Sequence, residues 1–215
     1  LTRPHPMQRL LQGDVGSGKT VVAALAAAQA IDNGYQAALM APTEILAEQH
    51  FRKLVGWLEP LGVKVAWLTG SLTPKGRREA AALIESGEAP LAVGTQALIQ
   101  QHVQFARLGL SIVDEQHRFG VGQRLALRNK GGEDEVFPHQ LMMSATPIPR
   151  TLAMTFFADL DVSVIDELPP GRVPVITKLL SDTRRDEVVA RIHEAARTGR
   201  QVYWGCPLVE ESETL

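Results

Sequence analysis

Gly13, Asp14, Val15, Gly16, Ser17, Gly18, Lys19 and Thr20 spell the pattern G-x-x-x-x-G-K-[ST]. Residues 9–12 before it suit a strand, and the Val- and Ala-rich run from residue 21 suits a helix. In that setting the glycines let backbone N–H groups converge on phosphate oxygens without side-chain obstruction. The helix N-terminus adds partial positive charge at the same place. Lys19 is then expected to reach the β- and γ-phosphates of ATP, and Thr20 to offer its hydroxyl to Mg²⁺. A Gly-rich turn with an exposed lysine is the plainer alternative, but it accounts for neither flanking element.

A second cluster follows about a hundred residues later. The apolar run 110–113 ends in Asp114 and Glu115. Two carboxylates at the carboxyl end of a buried strand are costly unless solvent or a cation compensates them. Alone, the pair reads as a solvated turn. Behind a phosphate loop it reads as a metal-nucleotide site, with Asp114 holding Mg²⁺ through water. Glu115 would orient and deprotonate an attacking water.

These residues need a scaffold that brings strand ends together. Strand patterns occur at 9–12, 36–41, 63–68, 91–94, 110–114 and 140–144, and helix patterns at 19–32, 44–58, 75–86, 119–128 and 149–158. Such alternation predicts an α/β fold, a parallel sheet with helices on both faces. Ligands of such sheets lie at the carboxyl ends of the strands, where the loop and the carboxylates fall. Residues 131–134 read as a polar loop. Residues 166–174 hold three prolines and a glycine, which stop helix and sheet alike, so they read as a linker. Beyond it come a strand pattern (175–180), a helix pattern (184–197) and another strand pattern (201–207). About forty residues bury little core alone, so 175–215 is expected to begin a second domain without completing it. The expected division is 1–165, linker 166–174, and 175–215.

Composition sets the outer bounds. The 215 residues are 45% hydrophobic and 21% charged, an ordinary globular balance. No apolar run approaches the roughly 18 residues of a membrane span. A single cysteine, Cys206, excludes an internal disulfide and fits a reducing cytoplasm. The formal net charge of −2 means that any nucleic-acid contact must come from local donors. The first residue is not Met, which suggests a piece of a longer chain.

Three functional classes compete on these residues. A small-molecule kinase would have no use for the Ser144-Ala-Thr146 that ends the next strand. A GTPase would want an Asn-Lys-x-Asp motif, which is absent. A non-catalytic binding module would not need Lys19, Thr20, Asp114 and Glu115 all intact. The remaining class, a nucleic-acid motor, uses everything. Asp114-Glu-Gln-His117 resembles the DExH box of superfamily 2 helicases, and Ser144-Ala-Thr146 resembles their third motif. Ala41-Pro-Thr-Glu44 and Gly94-Thr-Gln96 resemble the two short motifs with which these motors hold a nucleic-acid backbone. Longer strings narrow the resemblance to the bacterial RecG family of ATP-dependent DNA helicases. These are residues 12–20, Asp114-Glu-Gln-His-Arg-Phe-Gly120, Ala145-Thr-Pro-Ile-Pro-Arg-Thr151 and Glu167-Leu-Pro-Pro-Gly-Arg-Val-Pro174. Transcription-repair coupling translocases are the alternative, although Glu is expected there at position 116.

The resemblance implies a RecA-like P-loop ATPase domain followed by the start of a second RecA-like domain. It implies a double-stranded DNA translocase acting on forks and Holliday junctions in recombination and repair. It implies coupling roles for His117, Ser144 and Thr146. It implies DNA-backbone contacts from Pro42, Thr43, Thr95 and Gln96, although Thr43 also suits a simple helix N-cap. Arg150 falls on either the DNA side or the interdomain cleft. A wedge domain and the rest of the second motor domain, with its arginines, are expected from the parent chain. These residues alone are therefore expected to hydrolyse ATP poorly. Trp57, Trp67 and Trp204 are expected in core or cleft packing, and Cys206 as a buried small hydrophobe.

Overall fold

The computed structural model describes residues 1, 5–115, 119, 122, 126, 127, 130, 137–146, 160–167, 169, 171–173 and 175–205. The expected helices 119–128 (mostly) and 149–158, the loop 131–134, and Gln116, His117, Arg150 and Cys206 lie outside the described residues.

Two apolar residues in a row on a strand must point to opposite faces. In β1 (Gln8–Gly13) Leu10 joins one buried cluster and Leu11 another. In β2 (Gln36–Met40) Ala38 and Met40 take the first face, and Ala37 and Leu39 the second. The sheet is thus buried on both sides, as a parallel sheet requires. The same rule holds in β5 (Leu108–Asp114), where Val113 faces one cluster and Ile112 the other.

Helices cover both faces. α1 (Lys19–Asp32) lies close to the sheet through Ala23, Ala24 and Ala27. α2 (Glu44–Leu58) starts at the N-cap Thr43 and buries the stripe Ala47, His50, Leu54 and Leu58, spaced three or four residues apart. Both pack on the Leu11 face. α3 (Pro74–Glu85), capped by Thr73 with Pro74 opening the helix, covers the other face with Ala80 and Ile84.

The remaining strands are β3 (Val65–Leu68), β4 (Leu91–Gly94), β6 (His139–Ser144) and β7 (Asp161–Ile165). Their order in the sheet is β3-β4-β2-β5-β6-β1-β7, and every pairing is parallel. All seven carboxyl ends therefore share one edge. From β1 the chain passes over two places to reach β2, then fills them later with β5 and β6. That crossover sets the ends of β5, β6 and β1 side by side.

The sequence reading differs from the structure at several places, and β5 begins at Leu108, two residues before the expected 110. β3 begins at Val65, not residue 63. β7 was not expected, because Asp161 and Ser163 alternate with two valines over five residues and the strand is half exposed. Trp57 is 42% exposed and Trp204 50% exposed, so neither is a core residue, whereas Trp67 packs on Phe51 with ring centroids 5.1 Å apart. Residues 175–180 and 201–205 join no sheet. A strand exists only through pairing, and no partner strand for them stands among the described residues.

The chain divides into two compact units, Leu1–Arg172 and Val173–Leu215. In the second, α4 (Arg185–Arg197) follows a 3₁₀ turn, Asp182–Arg184, and buries none of its residues. Glu187 there accepts from Arg184 and pairs with Arg191. Those arginines hold its carboxyl below the ordinary range, the Arg184 hydrogen bond first.

Candidate nucleotide site and nucleic-acid edge

The phosphate loop leaves β1 and enters α1 with Gly16 at φ 83° and Gly18 at φ 102°. Side chains rarely adopt these values, so the loop requires glycine at both positions. Gly18 is the N-cap of α1; the helix has no side-chain cap and no acidic residue in its first turn. α2 and α3 are both capped by a threonine hydroxyl. The positive end of α1 is therefore left for an external anion.

Lys19 is held over the loop by its own backbone. Its Nζ donates to the carbonyls of Gly13 (2.6 Å) and Asp14 (2.9 Å). An ammonium has three protons, which leaves one for a phosphate oxygen. Ser17 Oγ is buried without a hydrogen-bond partner among the described residues. An unsatisfied buried hydroxyl costs about 1–3 kcal/mol, and a phosphate oxygen in the loop would satisfy it. Thr20 follows as the second residue of α1.

Asp114 ends β5 and is 8% exposed. Its Oδ1 accepts from Glu115 N (3.0 Å), and its Oδ2 lies 2.6 Å from His50 Nε2. Each oxygen keeps a lone pair, enough for the water shell of a hard cation but not for a protein cage. Hydroxyl and carboxylate oxygens fit Mg²⁺, which prefers to keep several waters. Register places Asp114 opposite Met143 and Gln12 opposite Ser144. Asp114 and the start of the phosphate loop are thus two strand spacings apart, about 10 Å. That gap suits a triphosphate and a hydrated metal.

Glu115 has φ 48°, the one positive value at a non-glycine among the described residues. A bulky residue in that region is strained, and such strain gathers at functional sites. Ser144, fully buried at the end of β6 between the loop and Asp114, joins Thr146 in a compact turn. The two hydroxyls are 2.9 Å apart, and Thr146 N donates to Ser144 Oγ at 3.2 Å. The hydrogen bonds are those of a self-contained turn; their coupling role stays an expectation.

The other half of the edge holds the remaining predicted residues. Thr43 is the N-cap of α2 and accepts from Leu46 N at 3.4 Å, a weak bond that leaves its exposed hydroxyl available. Pro42 is half-buried, Thr95 likewise, and Gln96 is exposed. Gly94 is needed for packing: an added Cβ would overlap the Leu68 carbonyl oxygen. Its own carbonyl accepts from Ala41 N (2.9 Å), which ties the ends of β4 and β2 together.

Sequence reasoning missed two partners of the site. His50 was hidden in the apolar stripe of α2, where its spacing with Ala47 and Leu54 was the available signal. Arg172, within the expected linker, reaches the phosphate loop. It pairs with Asp14 at 2.7 Å and donates to Val15 O at 3.4 Å. Pro169 packs where a Gly16 side chain would stand, 3.3 Å away.

Comparison with known proteins agrees with this geometry. The chain is 60% identical to the ATP-dependent DNA helicase RecG of Pasteurella multocida (strain Pm70) over 216 residues, covering all of this chain and 31% of that protein. It is 60% identical to RecG of Escherichia coli (strain K12), covering 98% of this chain and 30% of that protein. It therefore spans about a third of the length of the curated relatives it matches. A solved structure of RecG bound to a three-way DNA junction superposes with a TM-score of 0.75 at 45% identity, over 92% of this chain and 26% of that one. The Hef helicase domain of Pyrococcus furiosus, 19% identical with a TM-score of 0.57 over 90% of this chain and 45% of that one, shares the fold alone. No helix among the described residues is long and apolar enough to cross a membrane. The DEAD/DEAH box helicase model matches residues 5–155, which include the phosphate loop and both carboxylates, and the chain belongs to that family.

Proposed function

We propose that this chain is the ATP-hydrolysing part of a cytoplasmic DNA motor that acts on branched DNA, such as stalled forks and Holliday junctions, in recombination and repair. The observation that carries the reading is 60% identity to RecG helicases along the whole chain. The intact set supports it, with Lys19 and Thr20 at the start of α1 behind β1, and Asp114 and Glu115 at the end of β5, two places away in the sheet. The relatives found give no support to the alternative, a transcription-repair coupling motor.

In this reading residues 13–20 cradle the triphosphate of ATP. Thr20 and, through water, Asp114 hold Mg²⁺. Bound there, the metal would neutralise phosphate charge as it develops. Lys19 turns its remaining proton to the γ-phosphate. Glu115 takes a proton from the attacking water. His117, Ser144 and Thr146 pass the state of the site onward. Pro42, Thr43, Thr95 and Gln96 hold a DNA backbone, contacts that position without reading sequence. Residues 1–165 form the first motor domain, 166–174 the linker and 175–215 the start of the second. A wedge domain and the rest of the second motor domain act with them in the parent protein.

The test is an ATPase assay on the full-length parent with forked, linear duplex and single-stranded DNA. Forked DNA is expected to stimulate most. Equal stimulation by all three, or none, overturns the branched-DNA reading.

A further inference from the structure

We propose that His50 is a positioning residue. It fixes the Asp114 carboxylate and links that carboxylate, through one rigid helix, to the edge that holds DNA. The inference rests on the reading of Asp114 as the Mg²⁺ carboxylate.

His50 Nε2 and Asp114 Oδ2 are 2.6 Å apart, and their side chains are 10% and 11% exposed. With Asp114 ionised the imidazole is the donor, since a carboxylate only accepts. A hydrogen bond to a charged acceptor is short and about twice as strong as a neutral one. Its loss would leave a buried carboxylate short of a partner. The second oxygen is fixed by Glu115 N (3.0 Å). Two donors, one on each oxygen, therefore fix the orientation of the carboxylate. One belongs to the same strand end and cannot move independently. The other belongs to a different element, and that element makes the contact informative.

The element is α2. His50 lies in the stripe formed with Ala47, Leu54 and Leu58, so it is clamped by core packing and not free to swing. Seven residues earlier, about 10 Å along the helix axis, the same helix begins at Thr43, exposed on the proposed DNA edge. Glu44 in its first turn accepts from Ser71 N (3.0 Å) and so ties the helix start to the loop after β3. A shift of α2 on engaging a DNA backbone moves Nε2 with it, because a helix transmits displacement as a body. The Asp114 carboxylate then turns or loses its donor.

The test uses the full-length parent protein with three variants, His50→Gln, His50→Met and Asp114→Asn. Mn²⁺ affinity of the ADP complex is read by electron paramagnetic resonance, alongside the ratio of kcat with and without forked DNA. His50→Met keeps the volume and removes the donor. It is expected to weaken Mn²⁺ binding about tenfold or more, the usual cost of removing a group that orients a metal ligand. It is also expected to lower the stimulation ratio while DNA affinity holds. His50→Gln restores an N–H donor and is expected to recover much of both. If His50→Met does not fold, His50→Asn, whose amide is too short to reach, replaces it with the same expectation. Unchanged Mn²⁺ affinity and stimulation in the donor-less variant overturn the proposal, provided Asp114→Asn loses Mn²⁺. If Asp114→Asn keeps Mn²⁺ binding, the Mg²⁺ assignment itself has failed. A Gln variant as impaired as the Met variant would show that shape, not the hydrogen bond, is what matters, and would also overturn it.

Discussion

At the scale of single residues, position and strain separate what was legible from what was not. The phosphate loop and the two carboxylates were readable because their chemistry fixes both type and spacing. The strain at Glu115 was not, since backbone angles leave no mark on the letter. That strain makes a prediction. A glutamate at φ 48° is held in a region that costs on the order of 1–3 kcal/mol, whereas asparagine tolerates it. Glu115→Asn in the parent protein is expected to cut kcat by about 10²-fold or more, the contribution of a positioned base. Its thermal stability should be equal to or above wild type. Calorimetry and steady-state kinetics on the same preparation check both; a clear loss of stability would show that the backbone is not strained. His139 offers a second prediction. Its Nδ1 accepts from Met7 N (2.9 Å), which requires a neutral ring, and burial lowers its pKa. The unfolded chain then binds more protons than the folded one between that lowered value and about 6.5. Stability is thus full above about pH 6.5 and falls as pH drops through the folded value. Denaturant titrations from pH 8 to pH 5 should show that slope, and His139→Gln should flatten it. Equal slopes in the two proteins would remove His139 as the cause.

At the scale of elements, periodicity found the strands and helices that surround the site, because a sheet buried on both faces repeats apolar residues without interruption. It failed at β7, an edge strand with two polar residues among its five. It failed again at 175–180, where pairing, not composition, decides. It also could not show that the segment read as a linker returns to the site. The turn that carries Arg172 N to Pro169 O (3.1 Å) brings the guanidinium to Asp14 at 2.7 Å. Asp14 is a negative charge inside a loop built for phosphates, so Arg172 offsets a repulsion. Arg172→Ala is expected to weaken nucleotide binding severalfold, short of tenfold because both groups are over a third exposed and partly screened. Adding Asp14→Asn should recover the loss, since the neutral amide repels nothing. Fluorescent-nucleotide titrations of the two single variants and the double variant complete the cycle. Additive losses would mean that Arg172 and Asp14 do not act through each other.

At the scale of the whole molecule, net charge and local charge point in different directions. The chain carries −2 overall, yet it is proposed to hold a polyanion. The resolution lies along the sheet edge, where every strand ends on one side. Nearest the proposed DNA contacts stand neutral groups, Thr43, Ser71 and Gln96, all exposed. Beyond Ser71 the start of α3 carries exposed Lys75 and Arg78 and half-buried Arg77, basic residues that the overall charge conceals. Of these, Lys75 is 82% exposed and only loosely paired with Glu79 at 3.8 Å. The two kinds of group leave different signatures. A cation on a phosphate releases counterions, so its removal lowers the slope of log affinity against log salt by about one. A neutral hydroxyl releases none, so its removal weakens binding by the same factor at every salt concentration. Binding of the parent protein to linear duplex is therefore expected to be insensitive to sequence and to weaken steeply with salt. Thr43→Ala should shift that line down without changing its slope. Lys75→Ala should change the slope. Fluorescence anisotropy from about 50 to 200 mM salt separates the two. If Lys75→Ala leaves both slope and affinity unchanged, the basic cluster does not face DNA. If Thr43→Ala leaves affinity unchanged at all salts, its hydroxyl serves the helix cap alone.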